Sequence, residues 1–178
     1  MVVDLPSLSS LTIGTGAFSN THHFDIHQFP NLISLSLGYD IIDREDSFEL
    51  NGLSKLTEFR CLQPIYRNSP VETNETKSFR IINCSALKDI YVFPHCFADY
   101  GQFEISNCPA FVDLSIFSYW NTIAPFIGSS FSVRGNKHRE FLLVDCPSLS
   151  SIKINEGAFN QSLVTVMESS NKTANYEE

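Results

Sequence analysis

Basic residues are scarce in this chain: 12 Lys and Arg stand against 20 Asp and Glu, a formal charge of -8. A surface so poor in cations disfavours nucleic acid and anionic membrane, whose phosphates demand Lys/Arg-rich faces. No stretch is long and apolar enough to span a bilayer as a helix. The opening Met1-Val2-Val3-Asp4-Leu5-Pro6 lacks the basic and apolar regions of a secretory leader. Also missing are a Gly-rich phosphate loop, a Gly-x-Ser-x-Gly elbow and a His-Glu-x-x-His pair. His22, His23 and His27 have no cysteine partner at metal-ligand spacing. No capped amphipathic stretch of helical length is present, so little helix is expected. These absences leave no constellation that predicts catalysis and no residue set that predicts a cofactor or metal.

What the chain does have is a repeat. Phe24-Asp25-Ile26 leads into Phe29, Leu32, Leu35 and Leu37, and Phe48-Glu49-Leu50 into Leu53, Leu56 and Phe59. Phe79-Arg80-Ile81 leads into Cys84, Leu87, Ile90 and Val92; Phe103-Glu104-Ile105 into Cys108, Phe111, Leu114 and Ile116. Phe141-Leu142-Leu143 runs into Cys146, Leu149, Ile152 and Ile154, and a partial copy opens at Leu5, Leu8, Leu11 and Ile13. The steps from Leu5 through Phe29, Leu53, Cys84 and Cys108 to Cys146 are 24, 24, 31, 24 and 38 residues. Such a period predicts stacked units that bury their apolar faces only against one another.

Within a unit, Leu-x-x-Leu-x-Ile ends in period-two alternation and predicts one strand; Phe-x-Ile predicts a second. Gly14 and Gly38 are expected to end the first strand by adopting turn dihedrals. Phe18 and Phe159, from two Gly-Ala-Phe pieces, are expected to plug the core at the bend. Asn83, Asn107 and Asp145, each followed by Cys and Ser or Pro, suit the opposite corner. Longer steps mark insertions at 62–78 and 117–140, and residues 168–178 predict a disordered tail after a single 1–167 domain.

Of the five cysteines, Cys84, Cys108 and Cys146 occupy the site of Leu5, Phe29 and Leu53 in other copies. That exchange predicts a reduced, buried stack in preference to a disulfide or a metal site. Cys61 and Cys96 fall in no evident register. Asn-x-Ser/Thr sequons begin at Asn74, Asn83, Asn160 and Asn171.

Segments such as Cys146-Pro147-Ser148-Leu149-Ser150-Ser151-Ile152-Lys153-Ile154 resemble the strand signature of leucine-rich repeats. Gly16-Ala17-Phe18 and Gly157-Ala158-Phe159 resemble a motif of the BspA-like class within that superfamily. The unit departs from that class in its second Phe-x-Ile strand and in lacking the Ile-Pro that often follows the first. The resemblance covers about residues 2–167. It implies a β-rich, right-handed solenoid of parallel strands, about six 24-residue turns with two insertions, whose outer strand face binds protein partners.

On that face the outward positions read Ser10, Thr12; Ser34, Ser36; Glu58, Arg60; Asp89, Tyr91; Asp113, Ser115; Ser151, Lys153. The central copies carry charge and an aromatic ring, and Phe93 and Phe117 extend the same rows. Glu58, Arg60, Asp89, Tyr91, Phe93, Asp113 and Phe117 are therefore the candidate partner-binding residues, joined by Trp120 in the second insertion. The plainer alternative packs Phe93 and Phe117 beneath the insertions and leaves the basic run from Arg134 to Arg139 solvated. Asp89 and Asp113 would stack one rung apart, as a carbohydrate-active β-helix enzyme requires, but no Lys or Arg companion is expected in neighbouring rungs. The functional expectation is a non-catalytic protein-recognition scaffold; the alternative is a structural or adhesive segment of a surface array. The chain starts within a unit, which predicts a piece of a longer repeat protein, its ends covered by further repeats or by self-association. The leaderless start and the reduced cysteine stack favour the cytoplasm; a fragment would be compatible with the cell surface.

Overall fold

The computed structural model describes residues 5–14, 17, 26, 29–38, 47–62, 74–93, 96–97, 100–117, 140–154 and 164–168. They form eleven strands: β1 (Ser10–Ile13), β2 (Ser34–Gly38), β3 (Ser47–Asn51), β4 (Glu58–Leu62), β5 (Asn74–Ile82), β6 (Asp89–Val92), β7 (Tyr100–Ser106), β8 (Asp113–Ile116), β9 (Glu140–Val144), β10 (Ser151–Ile154) and β11 (Val164–Glu168). No helix occurs among the described residues, hence none long and apolar enough to cross a membrane. All strand pairing is parallel, in a front sheet β1-β2-β4-β6-β8-β10 and a back sheet β11-β9-β7-β5-β3. From β2 onward the chain passes to the opposite sheet at every strand.

The alternation read from the sequence becomes two kinds of column. Leu11, Leu35, Phe59, Ile90, Leu114 and Ile152 are successive register partners across the front sheet. The four central members are fully buried and the two outer ones pack half-buried against the core. Phe48, Phe79 and Phe103 repeat the arrangement behind, stacked ring on ring at centroid distances of 5.4 and 5.2 Å. Phe59 of the front sheet meets Phe48 at 5.5 Å and Phe79 at 5.9 Å, so both sheets bury their inner faces in one interior. Aromatic pairs in such tilted and offset geometries add to what burial alone contributes.

The passage from back to front is invariant. Leu50 to Phe59, Ile81 to Ile90, Ile105 to Leu114 and Leu143 to Ile152 are each nine residues apart. A tight turn recurs there: Leu56 N–H donates to Leu53 O, Leu87 to Cys84, Phe111 to Cys108 and Leu149 to Cys146, at 3.0–3.1 Å. Ser or Pro follows the first residue of each turn, as a type I geometry favours. Just before it the backbone enters the left-handed region at Gly52, Asn83, Asn107 and Asp145, with φ between 51° and 74°. Asn and Asp tolerate that region better than other side-chain-bearing residues. Asn83 Nδ2 donates to Asn51 Oδ1 (2.9 Å) and Asn107 Nδ2 to Asn83 Oδ1 (2.7 Å), tying successive corners. Gly14 and Gly38, by contrast, are not at positive φ; Gly38 is the last residue of β2 and pairs with Leu62.

Cys84, Cys108 and Cys146 are free and buried at matched corners. Each thiol donates to the carbonyl two residues before it at 3.4 Å: Ile82, Ser106 and Val144. Cys61 does have a register, the inward one between Leu37 and Val92. It forms a disulfide with Cys96, with the two Cα atoms 6.2 Å apart. Next to it Phe97 adopts φ 54°, rare for a bulky residue, and inserts its ring against Phe48, Phe79 and Tyr100 at 4.6–5.2 Å.

Strand boundaries also redraw the insertions. Leu62 closes β4 and Asn74 opens β5, so both lie within the interval read as inserted, as does Glu140 of β9. β11 was not expected as a strand; Thr165 and Met167 stand opposite Phe141 and Leu143 in the second-strand register. Glu168 belongs to β11, and 169–178 lie outside the described residues, as do Phe18 and Phe159.

Candidate functional site

The outward residues of the front sheet form two straight rows. Ser10, Ser34, Glu58, Asp89, Asp113 and Ser151 are consecutive register partners; so are Thr12, Ser36, Arg60, Tyr91, Ser115 and Lys153. Side chains two apart on a strand share a face, so Phe93 continues from Asp89 and Tyr91, and Phe117 from Asp113 and Ser115. Phe93 N–H donates to Cys61 O at 3.0 Å and Phe117 N–H to Val92 O at 2.8 Å, which carries the sheet ladder into this third row. Their rings stack on each other, centroids 4.7 Å apart, and both remain half-buried. Seven of the eight residues expected to bind a partner thus lie together; Trp120 lies outside the described residues, as do His22, His23, His27 and the basic run 134–139.

Arg60 organises the centre. Its guanidinium donates to Glu58 Oε1 and lies 5.0 Å from the Tyr91 ring centre, a cation–π geometry. The hydrogen bond to Glu58 raises the Arg60 pKa above its ordinary value. Burial, then the charges of Asp89, Asp113 and Glu58, raise that of Tyr91. Asp89 is raised by burial first, then by Asp113 and Glu58, with Lys88 and Arg60 acting in opposition. The Asp pair therefore does have cations nearby, contrary to the sequence expectation, although Arg60 is held by Glu58. Ser115, expected on the surface, is only 2% exposed. It donates to Asp113 Oδ2 at 3.1 Å, whereas Asp113 Oδ1 is buried without a hydrogen-bond partner among the described residues.

A second charged row was not anticipated. On the outer face of the back sheet, Arg80 bridges Glu49 (3.1 Å) and Glu104 (2.9 Å). Glu104 also accepts from Ser106 Oγ at 2.7 Å. Burial opposes its ionisation, but the bonds from Ser106 and Arg80 and the charge of Arg80 outweigh it and lower its pKa. The same repeat spacing that lined up the front rows could have exposed this triplet. Two carboxylates share one guanidinium, so the triplet keeps one net negative charge, and its polar groups are largely engaged with one another and with Asn51 and Ser106.

Of the buried thiols, Cys108 and Cys146 are poor nucleophiles, whereas the hydrogen bond with Cys108 lowers the pKa of Cys84. The Cys108 pKa is raised, by its hydrogen bond with Cys84 first and then by burial; that of Cys146 is pushed up to about 12 by burial. No group of three or more His, Cys, Asp or Glu among the described residues is placed to hold a metal ion. Of the sequons, Asn83 already commits its amide to the corner ladder, Asn74 opens β5, and Asn160 and Asn171 lie outside the described residues. No family model, curated protein or solved structure matches the chain.

Proposed function

We propose that this chain is a non-catalytic recognition scaffold: a right-handed, leucine-rich-repeat-like solenoid, related to the BspA-like class, whose front sheet presents a face to another protein. Support for the coil comes from strand order, since each strand after β1 pairs in parallel with the strand two places later. The recognition reading is carried by one observation: Arg60, Tyr91, Phe93 and Phe117 gather on a single outward face among carboxylates. Arg and aromatic residues surrounded by polar groups are the side chains that dominate interface energetics. The mechanism is rigid display. Paired strands fix these groups before a partner arrives, which lowers the ordering cost of association.

The test is selection from a display library of folded protein domains, run against the wild type and an Asp89/Tyr91/Phe93 triple alanine variant. Domains that depend on the three side chains are expected; a set captured equally by both proteins refutes the reading. The Cys61–Cys96 disulfide favours a second reading, a segment of a cell-surface array, because structural disulfides belong to oxidising compartments. Chain isolated from its source under thiol-trapping conditions would carry this bond oxidised; trapped free thiols at both positions refute the surface assignment.

A further inference from the structure

Resting on that reading of the face, we propose that its partner is a basic segment that seats a lysine or arginine between Asp89 and Asp113 and packs an apolar residue on Phe93 and Phe117. The charge pattern comes first. Glu58, Asp89 and Asp113 are directly adjacent in three consecutive strands, which lie ~4.8 Å apart in a sheet. Like charges placed opposite one another destabilise the sheet that holds them. Lys88 and Arg60 relieve Asp89 only in part, Arg60 being bonded to Glu58 and lying over Tyr91. Neither Asp89 nor Asp113 has an ion-pair partner among the described residues. Asp113 is half-satisfied: Oδ2 takes the Ser115 hydroxyl, and Oδ1 is buried with no donor. A buried acceptor left unpaired is costly, more so when charged. An incoming ammonium or guanidinium supplies the counter-charge that the pair lacks and a donor to the Asp89 carboxylate.

The aromatic pair fixes the second requirement. Phe93 lies four residues beyond Asp89, and Phe117 four beyond Asp113, on the same face of neighbouring strands. At about 3.3 Å per residue the stacked rings stand roughly 13 Å from the carboxylates. A single lysine or arginine cannot cover both. An extended segment with a basic residue and an apolar one four positions apart spans that distance. An acidic partner would meet three carboxylates, so the face selects against it.

Selection of a random linear peptide library on the folded chain tests this. The expected pool pairs Lys or Arg with an aromatic or aliphatic residue four positions away. Its binding should weaken about tenfold in Asp113→Asn or Asp89→Asn, comparable to losing a charged hydrogen bond, and should fall with added salt. Circular dichroism of each variant confirms that the fold is retained. Peptides that need Tyr91 and Phe93 but show no basic enrichment overturn the cationic partner and leave the recognition face standing. Peptides indifferent to Tyr91→Ala and Phe93→Ala overturn the face itself.

Discussion

Asp89 on β6 and Asp113 on β8 are register partners on one exposed face, and burial together with that neighbour raises the Asp89 pKa. The sign of the resulting pH dependence follows from linkage. A carboxylate whose pKa is higher folded than unfolded binds more protons in the native state. Its contribution to stability is therefore lost as pH rises from its ordinary 3.8 through the folded value. Asp89→Asn should leave stability at neutral pH unchanged or slightly increased, and should remove that part of the acid-limb curvature. Urea titrations of both proteins across the acid range check this.

Glu104 on the back sheet runs the other way. Its folded pKa is lowered, so its contribution is present above its ordinary 4.5 and is lost as pH falls through the folded value. Glu104→Gln should destabilise the protein at neutral pH by a few tenths to about 1 kcal/mol, as for a partly exposed pair. The difference should vanish in acid. The same titrations read both variants.

The Cys61–Cys96 disulfide links positions 35 apart in the chain. On the chain-entropy account, closing a loop of that length contributes roughly 3–4 kcal/mol. Cys61→Ser/Cys96→Ser should lower the denaturation midpoint, and reductant should lower that of the wild type but not of the variant. Under non-reducing conditions, unfolding in denaturant should release Cys84, Cys108 and Cys146 to a thiol reagent while Cys61 and Cys96 stay protected.

At the corner, Asn83→Ala removes a donor to Asn51 and an acceptor for Asn107 while keeping φ near 57° with a β-carbon. A cost of about 3 kcal/mol is expected, combining two lost hydrogen bonds with left-handed strain. Asn83→Gly should recover the backbone part only. Thermal melts that rank Gly at or below Ala would contradict this division.

Much of this was legible because the repeat prints its own register. Once Leu11, Leu35, Phe59, Ile90, Leu114 and Ile152 were read as one position, the outward rows followed without coordinates. The rest was illegible for separable physical reasons. Cys61 shares the slot of Leu37 and Val92, so the signal was there, but Cys96 sits in a bend without periodicity to announce it. Thr165 and Met167 replace the Phe and Ile of the second strand, which hid β11. The burial of Ser115 at an outward position is not carried by the alternation of its own strand. Arg80, Glu49 and Glu104 were aligned by the same spacing and simply lie on the other sheet.

The constant nine-residue passage at the corner has a consequence for how such a chain can grow. Phe59 to Phe79, Ile90 to Phe103 and Leu114 to Phe141 span 20, 13 and 27 residues, so these length differences fall on the passage from front sheet to back. Foreign sequence spliced in between Ile90 and Phe103 would have to leave Cys96, Phe97 and Tyr100 in the core. One residue added between Ile81 and Ile90 would instead rotate every later side chain of that rung by half a pleat, turning greasy positions to water. The back-to-front corner thus fixes the chain's register, while the return passage differs in length from rung to rung.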